Sequence, residues 1–384
     1  MNNQCPTPGS SLAPVLPAIA TDTEHEMNGV KVSNTPLSTP PAPQSIEHSA
    51  GVRMGRELLE ATRPFASEIK HKSRWYVVST FVLTITILAG AGLATWWPIR
   101  AALSVLGSLF LVRCFITYHD FMHGSLLRGS RAASIWFHLY AAFMLTPTRS
   151  WAKSHNYHHG HVGQISATGV GAFPIITTTM WRNATPGERF RYRASRHPLV
   201  VLFGYVTIFA LTICLMPLLR DPKRHWDSAL SLLAHGGLIA LLWTLGGFEL
   251  AFFSVLLPMT LASALGSYLF FAQHSFKRMY VASPQAWSFY RAALESSSYI
   301  RLNKVMRWFT GNIGYHHIHH LNVRIPFYRL PEAMSAIPEL QSPICTSLAP
   351  REILDCFRSS LWDEALQRMV SYREAHAGAL GDGG

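Results

Sequence analysis

The sequence predicts an all-α membrane protein with four transmembrane helices, two interfacial segments and a histidine-rich helical cap on the cytoplasmic side. Three observations lead to this fold class. Hydrophobic residues make up 49% of the 384 residues and charged residues only 14%, which favours one membrane domain over two soluble domains. Long apolar runs recur between residues 75 and 272. Three histidine clusters lie just beyond the ends of such runs or of the segments that follow them.

The two ends of the chain differ from its middle in composition. Residues 1–55 are rich in Pro, Ser, Thr and Asn and poor in large apolar residues, which is typical of disorder. No basic stretch followed by an apolar run opens the chain, so we expect no signal peptide. We therefore expect a disordered tail over residues 1–55, a membrane-embedded domain over residues 56–376 and a flexible tail over residues 377–384. Within the domain, residues 352–372 show the pattern of one or two amphipathic helices.

The first two crossings are predicted from adjacent apolar runs. Residues 75–97 are long enough for a membrane core of about 30 Å, which needs about 20 residues of helix. Basic residues at positions 70–74 place the start of this run in the cytoplasm. Residues 101–118 then return to the cytoplasmic side. Arg113 lies inside the second run, where it either extends its charge to the interface or lies beside a metal site.

The number of crossings between two histidine clusters must be even, because a shared metal site needs all clusters on one side of the membrane. This parity decides which of the remaining apolar runs cross. Residues 135–147 are too short, and residues 198–219 have basic residues on both flanks, so both should lie in the cytoplasmic interface. Residues 228–247 and 250–272 are joined by residues 246–249, which contain no basic residue and suit the external side. With two crossings here and two before, every histidine cluster ends on the cytoplasmic face, as a shared metal site requires.

Eight histidines stand at helical spacing in the three clusters. Residues at i, i+3 and i+4 share one face of a helix, so each cluster would present its imidazoles together. The clusters are His119 and His123, then His155, His158 and His159, then His316, His319 and His320. Imidazole is a good ligand for Zn, Cu, Fe and Ni, so the clusters predict a metal site without naming the metal.

Three further histidines need separate interpretation. His274 falls at the cytoplasmic end of the last apolar run, at the depth of the clusters, and is the ninth candidate ligand. His317 is off the helical frame that His316 sets, so its role stays open. His235 lies inside a predicted span without a partner nearby in sequence, and we expect it to form a hydrogen bond between helices.

These motifs resemble those of membrane-bound acyl-lipid fatty acid desaturases of the bacterial type, which carry three histidine boxes. The likeness extends over residues 60–375. The similar motifs are His119-Asp120-x-x-His123 for the first box, His155-x-x-His158-His159 for the second, residues 311–321 with Arg324-Ile325-Pro326 for the third, and Gln273-His274 for the extra histidine that precedes it.

The resemblance implies a pair of irons, with O2 as co-substrate. Its ligands by position are His119, His123, His155, His158, His159, His274, His316, His319 and His320. Asp120 would either accept an N–H from a ligating histidine or serve only as a helix-end charge. Phe121 and Met122 fill the first box where relatives often have Cys and Gly, and they would line the path of the acyl chain. Arg113 is the other candidate beside the metals.

The implied substrate is a lipid acyl chain in the bacterial cytoplasmic membrane. An unactivated methylene offers no handle for acid–base catalysis, and zinc has no redox chemistry, so iron and O2 suit the introduction of a cis double bond. The sequence lacks the His-Pro-Gly-Gly haem motif of a fused cytochrome b5. We therefore expect a separate electron donor, of the ferredoxin or cytochrome b5 type, that docks on the basic cytoplasmic face.

Other functions remain open. A hydroxylase or ketolase of the same superfamily, acting on an acyl chain, an alkane or a carotenoid, would carry similar boxes. A metal transporter would place its ligands near the middle of the bilayer, whereas these clusters lie past the span ends. Nucleic-acid binding is the rival explanation of the net charge of +12, but no basic stripe with interleaved aromatic residues is present.

Overall fold

The computed structural model describes residues 52–166 and 172–381, so the predicted tail over residues 1–55 lies almost wholly outside the described residues. This part of the chain is mostly helical, as predicted. In chain order its α-helices are α1 (Gly55–Ala61), α2 (Lys70–Leu93), α3 (Trp97–Met122), α4 (Arg131–Phe143), α5 (Thr148–His161), α6 (Thr178–Asn183), α7 (Pro186–Ser195), α8 (Pro198–Leu202), α9 (Met216–Arg220), α10 (Trp226–Ala251), α11 (Leu257–Gln273), α12 (Phe289–Glu295), α13 (Lys304–Phe309), α14 (His316–Leu321), α15 (Leu330–Ala336), α16 (Pro350–Arg358) and α17 (Tyr372–Gly381).

Other helical segments complete the chain between these helices. Two of them are π-helical, namely Tyr205–Leu215 between α8 and α9 and Phe252–Leu256 between α10 and α11. Three short 3-10 helices cover Arg63–Ala66, Phe327–Arg329 and Pro338–Leu340. The segments predicted as interfacial are thus helical, as α4 and as the apolar stretch Tyr205–Arg220. Their place relative to a membrane stays a prediction.

Three helical stretches among the described residues are long and apolar enough to cross a membrane, namely Lys70–Leu93, Trp97–Met122 and Trp226–Gln273. The third has 48 residues and contains both α10 and α11. Its backbone leaves the helical conformation at Gly246 and at Gly247, where φ is 74°. A residue with a side chain rarely adopts such a φ, so glycine permits the break at the predicted external join.

Contacts at both ends show that the chain reverses at this break. Asp227, at the start of α10, accepts a hydrogen bond from the backbone N–H of Arg149, close to the second histidine cluster. Glu249, just after the break, forms an ion pair with Arg100 at the start of α3. His274, which follows α11, is back among the histidines. The α10 helix therefore leads away from the clusters and α11 returns, while four membrane crossings remain a prediction.

Four short strands among the described residues depart from the predicted all-α fold. Strands β1 (Tyr299–Arg301) and β2 (Cys345–Ser347) pair in parallel, and strands β3 (Leu361–Asp363) and β4 (Arg368–Val370) form an antiparallel hairpin. The helix predicted over residues 352–372 is therefore wrong beyond the end of α16. Helical periodicity reports only local contacts, whereas β3 is held by a distant segment through Trp362 N–H, which donates to the Ile176 carbonyl.

Strand β1 fixes the approach to the third histidine cluster. The Ile300 N–H donates to the Gly314 carbonyl at 3.0 Å, and Tyr299 forms a β-bridge with Tyr315, the residue before α14. A Cβ atom on Gly314 would lie 2.7 Å from the Ile300 carbonyl oxygen, so only glycine permits this close approach. The backbone directly before His316 is thereby held in place.

Both predicted tails meet ordered structure at their inner ends. Arg53 forms an ion pair with Glu339, with Nε 2.8 Å from Oε1. At the other end, α17 continues through Gly381 and so extends into residues 377–384, which the sequence predicts as a flexible tail.

Candidate metal centre

The nine candidate ligands come from four separate elements that meet at one end of the long helices. His119 lies in the last turn of α3 and His123 directly follows that helix. The α5 and α14 helices supply three histidines each, and His274 follows α11. All nine side chains are buried, with relative exposures of 9% or less. Buried imidazoles are expected to have partners, so this concentration requires an explanation.

The nine imidazoles form two adjacent groups, and within each group the ligand atoms all lie within 4.8 Å of one another. The first group is His119, His123, His155, His159 and His319, and the second is His158, His274, His316 and His320. The groups touch where the rings of His159 and His320 approach to 4.2 Å between centroids. The i+4 neighbours of one helix thus stay together, whereas α5 and α14 divide their histidines between the groups.

The Nε2 atoms converge within each group. In the first, the Nε2 atoms of His123, His155, His159 and His319 are linked by separations of 3.1 to 3.3 Å. In the second, the Nε2 atoms of His158, His274, His316 and His320 are linked by separations of 2.9 to 3.1 Å. With metal–nitrogen bonds of about 2.1 Å, ligands at right angles to each other are about 3.0 Å apart. The donor set therefore fits two metal ions.

Outer contacts orient several of these rings. His119 Nδ1 is 3.1 Å from Asp120 Oδ1, and Asp120 Oδ2 accepts the Phe327 N–H at 2.7 Å. His274 Nδ1 is 2.8 Å from the Ser296 carbonyl oxygen, so Nδ1 carries the proton and leaves the Nε2 lone pair facing the group. Such partners fix both tautomer and ring orientation, and the contact with His119 is one of the two roles that the sequence leaves open for Asp120.

The imidazoles on α5 and α14 are held in the neutral form that a metal needs. Burial, followed by repulsion among neighbouring rings, keeps their pKa values well below the usual 6.5. Only a neutral imidazole offers a lone pair at Nε2. The Nδ1 atoms of His158, His159, His316 and His320 have no hydrogen-bond partner among the described residues.

His317 stands apart from both groups. Its Nε2 lies 3.2 Å from the Leu340 carbonyl oxygen, and its ring belongs to neither imidazole group. Burial lowers the pKa of His317 to about 4. The neutral ring of His317 therefore fixes α14 to the segment that follows α15. His317 takes no part in either imidazole group.

Comparisons with known proteins agree with this arrangement. The family model for fatty acid desaturases matches residues 94–346. A fatty acid desaturase of Bacillus subtilis is 30% identical over 86% of this chain and 93% of its own length. The chain belongs to the fatty acid desaturase family. A chloroplastic omega-3 fatty acid desaturase of Brassica napus is 24% identical over 79% of this chain and 77% of its own length. An sn-2 acyl-lipid omega-3 desaturase (ferredoxin) of Arabidopsis thaliana is 27% identical over 69% and 61%.

An apolar cavity of about 2020 Å³ reaches the histidines of this family member. His119, His155 and His316 contribute to its wall, so it meets both groups. The remaining wall is largely apolar, and α3, α11 and the segment Tyr205–Leu215 supply much of its apolar surface, while α5 adds residues that include Lys153 and Tyr157. A cavity of this character can hold a hydrocarbon chain beside the candidate metal ions.

Phe121 and Met122, which the sequence places along the acyl path, do not line this cavity. Phe121 instead stacks on Phe137, with ring centroids 4.6 Å apart. The physical reason is helical direction, because Phe121 lies on the side of α3 that faces α4, whereas Phe115, one turn before His119, faces the cavity.

Arg113 neither extends to the interface nor touches a histidine group. It is 2% exposed and donates from Nε to Thr80 Oγ1 and from a terminal nitrogen to the Trp308 carbonyl. Its guanidinium lies 4.1 Å from the Trp308 ring centroid and 5.3 Å from that of Phe327. Arg113 thus joins α3 to the segments on either side of the third histidine cluster.

Sequence reasoning missed two contacts that support the site. Trp151 stacks on His155 with centroids 4.5 Å and planes 19° apart, and its position at i−4 on the same helix face was an available signal. Gln273 donates to the Ile313 carbonyl at 2.8 Å and so ties the end of α11 to the segment before α14. No sequence pattern indicates that second contact, because 40 residues separate its partners.

Proposed function

We propose that the protein is a membrane di-iron fatty acid desaturase that uses O2 and two external electrons to introduce a cis double bond into a lipid acyl chain. The observation that carries the proposal is the juxtaposition of two all-imidazole groups with an apolar cavity. Membership of the fatty acid desaturase family supports the same conclusion.

Each imidazole group would hold one iron. The first offers five nitrogen ligands and the second four. When bound, the iron pair would supply the O2-dependent redox chemistry that removes hydrogen from an unactivated methylene, which zinc cannot do. Imidazoles are neutral ligands, so they leave the charge of the ions largely uncompensated in the immediate shell. Asp120 would be the nearest carboxylate to moderate it, through His119.

The protein itself would position the substrate and exclude water. An acyl chain in the cavity would lie against Phe115, Phe209 and Phe270, with its reacting carbons beside His119 and His316. Because the wall is apolar, the chain would be bound by burial of its methylenes, each contributing about 0.8 kcal/mol. The length of the cavity beyond these two histidines would then select which carbons react.

The setting of the reaction completes the proposal. Four crossings, with the histidines on the cytoplasmic side of the bacterial membrane, agree with the positive-inside rule and with the reversal at Gly247. The two electrons would come from a separate donor of the ferredoxin or cytochrome b5 type. The similar enzyme of Arabidopsis thaliana has ferredoxin in its name.

Expression of the chain in a host without desaturases, followed by analysis of fatty acid methyl esters, tests this function. We expect new monoenes or dienes from the wild-type chain and none from His158→Ala, with equal protein in the membrane fraction. Hydroxy acids without a new alkene would instead support the superfamily hydroxylase and contradict desaturation.

A further inference from the structure

The outer side of α5 carries a stripe of residues that the proposed chemistry does not use. Arg149, Lys153, Tyr157 and His161 follow one another at intervals of four, so they lie along one side of the helix. The first three are exposed, whereas the three candidate ligands of α5 are buried on the opposite side. One helix therefore presents metal ligands inward and this stripe outward.

A stack of aromatic rings forms the end of the stripe. Tyr157 is 43% exposed, and its ring lies 3.8 Å from that of His161 with planes only 7° apart. Trp287 continues the stack, 6.4 Å and 20° from His161, and its Nε1 donates to the Val162 carbonyl at 2.7 Å. Flat side chains held in this way lose little entropy on contact, and Tyr and Trp are enriched at the energetic centres of protein interfaces.

The surroundings of the stack are basic. Lys277 and Arg278 are exposed in the segment that pairs with the residues directly after α5. Neither residues 121–187 nor residues 250–294 contain Asp or Glu. These cations are thus not neutralised from within the segments that form the surface, and they favour a partner of negative charge.

We propose that this surface, here called the docking face, binds an acidic one-electron carrier protein. The docking face consists of Arg149, Lys153, Tyr157, His161, Lys277, Arg278 and Trp287. The inference rests on the proposed function, because a desaturase needs two electrons from outside. Each encounter delivers one electron and leaves the carrier oxidised, and two encounters supply one turnover. Tyr157 is bonded directly to His158, so the stack contacts the carrier one residue from a candidate ligand.

Binding of a plant-type [2Fe–2S] ferredoxin to the purified full-length chain tests the docking face without any turnover. We expect Lys153→Glu and the double variant Lys277→Glu/Arg278→Glu each to raise the Kd by about tenfold at low salt. The difference should shrink at high salt, where charges are screened. Tyr157→Leu should weaken binding at both salt concentrations. Arg351→Glu, which changes an exposed cation on α16, is the matched control and should bind as the wild type does.

Three further measurements separate docking from other roles. The double variant Lys277→Glu/Arg278→Glu should keep wild-type iron content and wild-type turnover with a small-molecule reductant, and loss of either would overturn the proposal. Lys153 and Tyr157 also border the cavity, so the KM for the acyl substrate is measured as well. A raised KM with unchanged ferredoxin affinity would assign the stripe to substrate entry, and equal Kd values in all variants would equally refute docking. Fatty acid products are a separate readout from ferredoxin affinity, so a failure of the proposed desaturation is distinguished from a failure of docking.

Discussion

His317 and His319 provide a comparison within one turn of α14. Both are buried, but His319 belongs to the first imidazole group and His317 contacts the Leu340 carbonyl. We expect His319→Ala to abolish desaturation, because no neighbouring side chain can supply the lost ligand. His317→Ala should retain measurable activity, because it removes only a packing and hydrogen-bonding contact. Fatty acid methyl ester profiles, normalised to protein in the membrane fraction, measure both.

The two variants control for each other, since each deletes one buried imidazole from the same short helix. Full activity in His319→Ala would remove it from the ligand set. Complete inactivity of His317→Ala with normal protein levels and normal iron content would contradict the assignment of His316, and not His317, to the imidazole groups.

Asp120 lies behind the first group and should tune the affinity for iron. We expect Asp120→Ala to lower iron affinity by about 10- to 100-fold, as loss of a carboxylate behind a ligating histidine does. Asp120→Asn should have a smaller effect, because its amide oxygen can still accept from His119 Nδ1. The rate of iron loss to a chelator measures this directly. Equal rates for the wild type and Asp120→Ala would reduce Asp120 to a helix-end charge.

At the residue scale, the sequence predicts what local spacing determines. The i, i+3 and i+4 pattern predicts which imidazoles belong together on α5 and α14, and the partner expected for His235 is confirmed, since its ring contacts the Tyr205 hydroxyl and the Phe143 carbonyl. It cannot predict that the Ser296 carbonyl orients His274, because any residue supplies a carbonyl. It also cannot predict that Phe121 lies outside the cavity, since neighbouring helices decide which side of α3 faces it.

Among the elements, α5 depends on a neighbour for its N-terminal cap. Its N-cap residue is Pro147, which offers no side-chain acceptor, and the Arg149 N–H bonds instead to Asp227 Oδ2 at 3.0 Å. Ser150 Oγ adds a contact of 2.6 Å to His225 Nδ1. The start of α10 thus holds the helix that presents three of the nine imidazoles.

Asp227→Ala should therefore destabilise both the fold and the site. Loss of an N-terminal cap costs about 0.5–2 kcal/mol of unfolding free energy, because the Arg149 N–H loses its acceptor. We expect a lower thermal midpoint in detergent and faster iron loss to a chelator. Asp355→Ala, at an exposed position on α16, is the control. Unchanged iron retention in Asp227→Ala would limit Asp227 to a role in stability.

Elements that depend on distant partners are where sequence prediction fails. The long apolar helices and α5 follow from apolar runs and spacing within single segments. Strands β1 and β2 do not, because Tyr299 pairs with Cys345 across more than forty residues. Yet this pairing holds the backbone that leads into α14, so a feature invisible to local patterns supports the third histidine cluster.

The topology of the whole molecule can be tested by reporters. The parity argument requires the chain to leave the cytoplasmic side after Arg224 and to reach the external side at the glycine pair, and the reversal at Gly246 and Gly247 agrees with it. A reporter fused after Arg224 should be cytoplasmic, and one inserted at Gly247 external. A cytoplasmic signal at both positions would contradict the two crossings that we predict for α10 and α11.

The number of metal ions is also a property of the whole molecule, because four elements distant in sequence must meet to form the groups. Each group has its own set of Nε2 atoms about 3 Å apart, and four or five ligands suit one ion with a position left for oxygen. Nine imidazoles exceed what one ion can use. We therefore expect the purified wild-type protein to contain two irons per chain and little zinc, measured by elemental analysis. A double variant that removes His274 and His320 should retain about one. One metal per wild-type chain, or zinc in a preparation that is active without iron, would contradict the two-ion site.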